Sequence, residues 1–264
     1  MADAFSVTSL RTAFSFPFQS RDWSGRFLIG TALLFASLFI PIIPALFVYG
    51  YVVEVMRQTI KGEAPVLPEW KNWGQLALDG LRSLAVGVAY MGPGLVIMIG
   101  GWVVYMAMYF GGGILLAGTP SHQDPSSLVF VLMLGAVVIL LLSMFVGWLL
   151  SFVGVIPLPV ALAHFVANDK LSAAFQMRQW GAIVRADKWG YFIGWVIVLG
   201  LVGVMYFALL LMYFTVIFCC VMYFVLIPIG FYLLLISAVI FGQFYREGTA
   251  RLSLQLSKPE GAQA

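Results

Sequence analysis

Charge is scarce in this chain. Asp, Glu, Lys and Arg make up 9% of its 264 residues, apolar residues make up 62%, and the mean hydropathy is +1.00. A soluble domain of this length needs far more polar surface, so lipid is the expected solvent for most of the chain. The formal net charge of +3, split among short basic clusters, excludes a nucleic-acid-binding face. Cysteine is limited to the adjacent Cys219 and Cys220. Neighbours on a helix point about 100° apart, so they form neither a disulfide framework nor a zinc motif and read as small buried residues. Hydrolase elbows, paired histidines on a helix face, phosphate-binding glycine loops and intramembrane Ser/Lys or paired-Asp dyads are missing, which argues against an enzyme. No acidic, basic or histidine residue lies deep in an apolar run, which weighs against an ion-coupled pump. Met1–Ser24 has no long apolar core, and Asp3, Arg11, Arg21 and Asp22 interrupt it. It does not read as a signal peptide, so the first membrane segment is expected to carry the targeting information.

What the chain has is apolar length. Four stretches stand out, Phe27–Val53, Ser83–Gly118, Leu128–Ala163 and Trp189–Gln243. One helical crossing of a bilayer core about 30 Å thick takes roughly 20 residues. The last stretch is long enough for two crossings, and the middle two supply one crossing each with turns to spare. All 14 Lys and Arg fall in four segments: Arg11–Arg26, Arg57–Arg82, Lys170–Lys188 and Arg246–Lys258. The connection Gly111–Ser127 has none. Positive residues stay in the cytoplasm, so the four segments are expected inside, and Gly111–Ser127 outside. The expectation is an all-α polytopic protein of the prokaryotic cytoplasmic membrane. It would have about six membrane segments in three hairpins, with both termini cytoplasmic. The first hairpin would be short, turning near Pro41-Ile42-Ile43-Pro44 with arms of about Gly25–Ile40 and Ile43–Ile60. A single kinked crossing with the N-terminus outside is the alternative.

Pro41, Pro44, Pro157, Pro159 and Pro228 sit late in such runs, and Pro93 lies mid-run. A proline inside a helix removes a donor and clashes with the preceding turn, costing about 3 kcal/mol unless a kink or turn absorbs it. These positions are expected to break or kink helices and to face other helices or a polar cavity. Interfacial amphipathic helices are expected at Val7–Phe18, Leu67–Leu81 and Leu171–Val184, where apolar faces combine with basic residues and, in the last two, indoles. Residues 1–248 read as one helical membrane domain and 249–264 as a polar cytoplasmic tail. The pattern Leu10…Ala13-Phe14…Asp22-Trp23…Phe27…Ile29-Gly30 is echoed by Leu171…Ala174-Phe175…Asp187-Lys188-Trp189…Phe192-Ile193-Gly194. This suggests a parallel repeat of 7–61 in 168–248.

The combination Trp23…Gly30, Ile-Pro-x-x-Pro, Gly50-Tyr51, Arg57, Gly62, Leu67-Pro68-Glu69-Trp70…Trp73-Gly74…Asp79-Gly80 resembles a prokaryotic family of polytopic membrane proteins known as domain of unknown function 4013. The resemblance covers most of Trp23–Gly248 and is most specific in Gly50–Gly80. It implies a membrane architecture and no activity, cofactor or site residue.

Read residue by residue, Glu54 and Arg57 lie one turn apart, as do Asp79 and Arg82. Each pair is placed to interact along its own helix, and together the four are candidates to line a cytoplasm-facing polar cleft. The opposing reading is solvated charge at helix ends. His164 is the candidate ligand for a metal or pigment, or a proton relay, against the plainer reading of an interface histidine beside Asn168 and Asp169. His122 and Asp124 supply two arms of a metal site, and two ligands do not make one. Gly190/Gly194, Ser143/Gly147 and Ala238/Gly242 offer close-packing grooves. The leading functional expectation is a non-enzymatic structural or assembly subunit. Its partners would be membrane lipid and other membrane proteins or further copies of itself, and it would bind no nucleic acid. A small-molecule or lipid transporter with a cavity at the proline breaks is the alternative, and a pigment- or cofactor-associated subunit using His164 a third.

Overall fold

The computed structural model describes residues 7–117, 127–213 and 222–257, and among these it contains helices and no strand. In order they are α1 (Val7–Ser15), α2 (Trp23–Ala36), α3 (Ile43–Lys61), α4 (Trp73–Ala117), α5 (Ser127–Val155), α6 (Leu158–Asn168), α7 (Met177–Ala186), α8 (Lys188–Tyr213) and α9 (Met222–Ser257). Short 3-10 turns occupy Phe16–Phe18 and Leu171–Phe175. Among the described residues, four helices are long and apolar enough to cross a membrane: Trp73–Ile114, Val129–Val155, Lys188–Leu211 and Tyr223–Ser257. Their large apolar side chains are mostly exposed, Val96, Phe130, Phe145, Val204 and Phe224 among them. An all-helical polytopic membrane protein is the architecture that accommodates this surface, because lipid tails solvate apolar side chains and intrahelical bonds satisfy the backbone. Trp23–Ala36 and Leu158–Asn168 are shorter apolar helices.

The chain divides into two compact units, Met1–Val86 with Pro159–Ala264, and Gly87–Leu158. In the first, α9 is the hub, with α1, α2, α3, α7 and α8 packed on it. Its side chains Phe231, Leu235, Ile236, Val239, Ile240 and Phe244 are fully or almost fully buried, together with Val48, Tyr51 and Val55 of α3. Gly30 of α2 lies so close to the Phe231 ring that a Cβ there would overlap it. The Tyr232 hydroxyl donates to the Phe14 carbonyl at 2.8 Å, tying α1 to the hub. Gly242 gives close approach to α3, where a Cβ would stand 3.1 Å from Thr59 Cβ, and Ala238 beside it is buried.

The second unit pairs the later part of α4 with α5 in antiparallel contact. Gly94 meets Gly147 and Ser151, Gly101 meets Ser143, and Gly154 meets the Tyr90 carbonyl. The absence of side chains at the glycines lets the two backbones approach, which substitutes packing for the hydrophobic drive that lipid removes. Ser143 and Gly147 are therefore in a helix contact. Gly190 and Gly194 of α8 are both buried, and Gly190 faces the Asp187 carboxylate of the preceding turn.

The first apolar stretch consists of two helices, α2 and α3, packed on each other and joined by the turn Ser37–Ile42. At about 21 Å and 28 Å both fall short of a 30 Å hydrocarbon core. Pro44 is buried in the first turn of α3, where no intrahelical donor is lost. Pro41 is exposed at the tip. Pro157 lies in the break between α5 and α6, and Pro159 is the second residue of α6. Pro93 and Pro228 end no helix; α4 and α9 continue through them. Of these two, Pro93 is exposed and Pro228 half-buried.

One further expectation is corrected. Leu67–Leu81 is not one helix: residues 63–72 are irregular and α4 begins at Trp73. The carbonyls of Leu67 and Pro68 accept side-chain hydrogen bonds, so this backbone needs no helix to be satisfied. Helix α9 runs through Arg246 and Thr249 to Ser257, into the stretch read as the tail. The expected interfacial stretch at Leu171–Val184 divides into the 3-10 turn and α7. The two echoed segments each run from a short helix into an apolar helix and then a longer one, α1-α2-α3 and α7-α8-α9, with α2 much shorter than α8. His122, Asp124, Cys219, Cys220 and Lys258 lie outside the described residues.

Candidate functional site

Helix α3 ends at Gly62, whose φ of 82° reverses the chain. From there residues 63–72 run without regular structure and are tied to α2 and α3. Leu67 is fully buried. Arg26 of α2 donates to the Leu67 carbonyl and pairs with Glu69 at 3.3 Å. The Tyr51 hydroxyl donates to the Pro68 carbonyl at 2.8 Å, and Trp70 Nε1 donates to the Arg26 carbonyl at 2.8 Å. The Tyr51 and Trp70 rings stack at 4.1 Å with planes 12° apart, and Trp73 continues the stack at 5.6 Å from Trp70. The Pro-Glu-Trp element is thus a clamp that fixes where α4 starts. Lys71 forms an ion pair with Glu69 and holds its carboxyl below the ordinary carboxylate range. Asn72 at φ 55° then launches α4, its carbonyl accepting the Gln75 amide at 2.9 Å.

The opening of α4 crosses α3 at two reciprocal glycines. Gly50 sits against the Leu76 carbonyl and Gly80 against the Leu46 carbonyl, each closer than a side chain would permit. This approach brings Asp79 to Arg57. Arg57 donates to Asp79 Oδ2 at 2.9 Å, to Glu54 on its own helix, and to Asp169 Oδ1 at 3.2 Å. Asp79 also accepts from Gln75 Nε2 at 3.1 Å and lies 3.6 Å from Arg82. Its side chain is 3% exposed, so the carboxylate is held by partners rather than water, as a buried charge requires.

The four residues proposed to line a cleft meet in one ion-pair network, though of the four only Glu54 and Asp79 line the cleft beside it. The intrahelical pairs are present, and Arg57 additionally bridges three carboxylates from α3, α4 and the end of α6. Asp169, Gln75 and Arg26 were not singled out from the sequence. Their signal is weak, because each contact spans elements that only the tertiary structure juxtaposes. A small cleft of about 170 Å³ opens beside this network, lined by Glu54, Pro68, Glu69, Lys71, Asn72, Gln75, Leu76 and Asp79.

His164 stands apart on α6. It is buried, with Nδ1 2.7 Å from the Tyr245 hydroxyl and Nε2 3.2 Å from Gln179 Oε1. If Nε2 carries the hydrogen, it donates to Gln179 while Nδ1 accepts from Tyr245. Both ring nitrogens are engaged by protein, so ligation of a metal or pigment would displace one of these partners. Among the described residues no group of three or more His, Cys, Asp or Glu is placed to hold a metal ion.

No curated protein matches the chain, and neither does any solved structure. The Gly50–Gly80 clamp and most of the helices lie within residues 33–214, which match the family model described as Protein of unknown function (DUF4013). That match spans more than half of the chain, and the protein belongs to this family of unknown function.

Proposed function

We propose that the protein is a non-enzymatic subunit or assembly factor of a prokaryotic cytoplasmic membrane, with both termini cytoplasmic, packing against other membrane proteins or further copies of itself. The observation that carries this reading is where the polar chemistry goes. The charged side chains gathered by α3, α4 and the end of α6 are engaged with one another, Arg57 with three carboxylates and Arg82 with Asp79. The long helices present apolar surface instead. On α8, Gly200 and Gly203 are positions where a Cβ would meet no atom within 4 Å, which leaves room for a neighbouring helix to approach. The cleft beside Asp79, at about 170 Å³, is smaller than the roughly 300–1,000 Å³ of typical ligand pockets.

Purification of the full chain from native membranes in mild detergent, with mass determined by native mass spectrometry, tests this. A stoichiometric partner protein or a homo-oligomer is expected. A monomer carrying only lipid overturns the proposal and favours the transporter. A reporter inserted after Lys61 is expected to be accessible from the cytoplasm only.

A further inference from the structure

We infer that the corner formed by α7 and the first turn of α8 is a binding surface for the headgroups of anionic phospholipids. Its depth comes first. The apolar span of α8 begins at Lys188, one residue after the Asp187 that ends α7. Asp187 Oδ1 accepts the Gly190 amide at 3.1 Å, capping α8, and pairs with Arg251 of α9 at 2.8 Å. The start of a membrane span lies at the headgroup layer, and Trp189 there is 75% exposed, as an interfacial indole would be. Helix α7 is fixed at that level on its other side. Ile183 is buried against Gly248, and Gln179 reaches His164.

Charge identifies the occupant. Lys170, Arg178, Arg185 and Lys188 are all exposed, and among the described residues no carboxylate forms an ion pair with any of them. Of the acids near this corner, Asp187 pairs with Arg251 and Asp169 with Arg57, while Glu247 of α9 is half-buried beside Arg246, Arg251 and Asp187 and forms no ion pair with the four. Arg26, Arg57, Lys71, Arg82 and Arg251 each have an acidic partner. Arg11, Arg21, Lys61 and Arg246 have none among the described residues either, but they are spread over other segments, whereas the four of this corner lie within residues 170–188. Arg178 and Arg185 are seven residues apart, so they share one side of α7, roughly opposite Ile183. Met177, 61% exposed, opens the same helix, and the exposed Leu171 and Phe175 precede it. Guanidinium groups without acidic partners, beside apolar side chains at headgroup depth, match a phosphodiester above its acyl chains. This inference needs membrane residence alone and stands whether or not the protein has a protein partner.

The test is native mass spectrometry of the detergent-solubilised full chain titrated with phosphatidylglycerol or phosphatidylcholine. The unmodified protein is expected to retain phosphatidylglycerol in preference. R178Q/R185Q is expected to weaken that binding about 25-fold, at about fivefold per basic residue removed near an anionic surface. R21Q/K61Q, which removes two exposed charges elsewhere, should change it little. R178K/R185K keeps the charges and should keep the preference, separating loss of charge from loss of structure. Equal affinity for the two lipids, an unchanged R178Q/R185Q, or an equal loss in R21Q/K61Q each overturns the proposal.

Discussion

Substitution of Gly50 by Ala probes the contact on which the polar network depends. A Cβ at Gly50 would overlap the backbone carbonyl of Leu76 on α4. A backbone atom cannot rotate away as a side chain can, so the helices must separate. Overpacking of this kind costs about 1–3 kcal/mol, and the rigid obstacle places Gly50 near the upper end. Against this, Ala gains up to about 1 kcal/mol over Gly from helix propensity. The net expectation is a loss of about 2 kcal/mol. For a chain of this size that corresponds to a thermal midpoint lowered by roughly 4–8 °C. The assay is thermal unfolding in detergent, followed by tryptophan fluorescence, beside G87A, where the added Cβ meets nothing within 4 Å. G87A is expected to be neutral or slightly stabilised. Because Gly80 meets Leu46 in the same crossing, G50A/G80A should cost less than the sum of the single changes: once one Cβ has parted the helices, the second meets less resistance. A midpoint for G50A as high as that of G87A would refute the argument.

Four further outcomes are expected. Arg57→Met leaves the Asp79 carboxylate buried with Gln75 and Arg82 only, and should destabilise by about 3–5 kcal/mol; R57M/D79N should recover part of that loss in the same unfolding assay. Tyr51→Phe removes one donor to the Pro68 carbonyl, and a loss of about 1 kcal/mol in the same assay checks it. His164→Ala strips a partner from both Tyr245 and Gln179, with an expected cost of about 1–3 kcal/mol; an absorption spectrum changed by the substitution would instead favour a pigment ligand. Lys71 lowers the folded-state titration of Glu69 below its ordinary 4.5. Its stabilising effect is therefore fully present above that value and lost as pH falls through the lower, folded one. Carboxyl-resolved NMR titration should show Glu69 moving back up in K71A.

The membrane character, the all-helical class and the place of the first turn follow from the linear pattern, because bilayer thickness and lipid polarity constrain runs of apolar residues whatever their neighbours. The interruption near Pro41–Pro44 was legible for the same local reason. The fate of Pro93 and Pro228 was not, since a long apolar helix can carry a proline through and local sequence does not say whether it will. The Trp70–Trp73 region shows the same limit. Its spacing suits an amphipathic helix, yet Arg26 and Tyr51, 44 and 19 positions earlier than Trp70, supply the hydrogen bonds that hold the chain before Trp73 without one. In the charge cluster, Glu54 with Arg57 and Asp79 with Arg82 were readable as neighbours one turn apart. That Arg57 turns to Asp79 and Asp169 was decided by the Gly50–Gly80 crossing and by the end of α6. Local periodicity therefore determined which segments are helical and apolar. Only the tertiary structure chose which charges meet, because such a pairing depends on how closely two backbones approach.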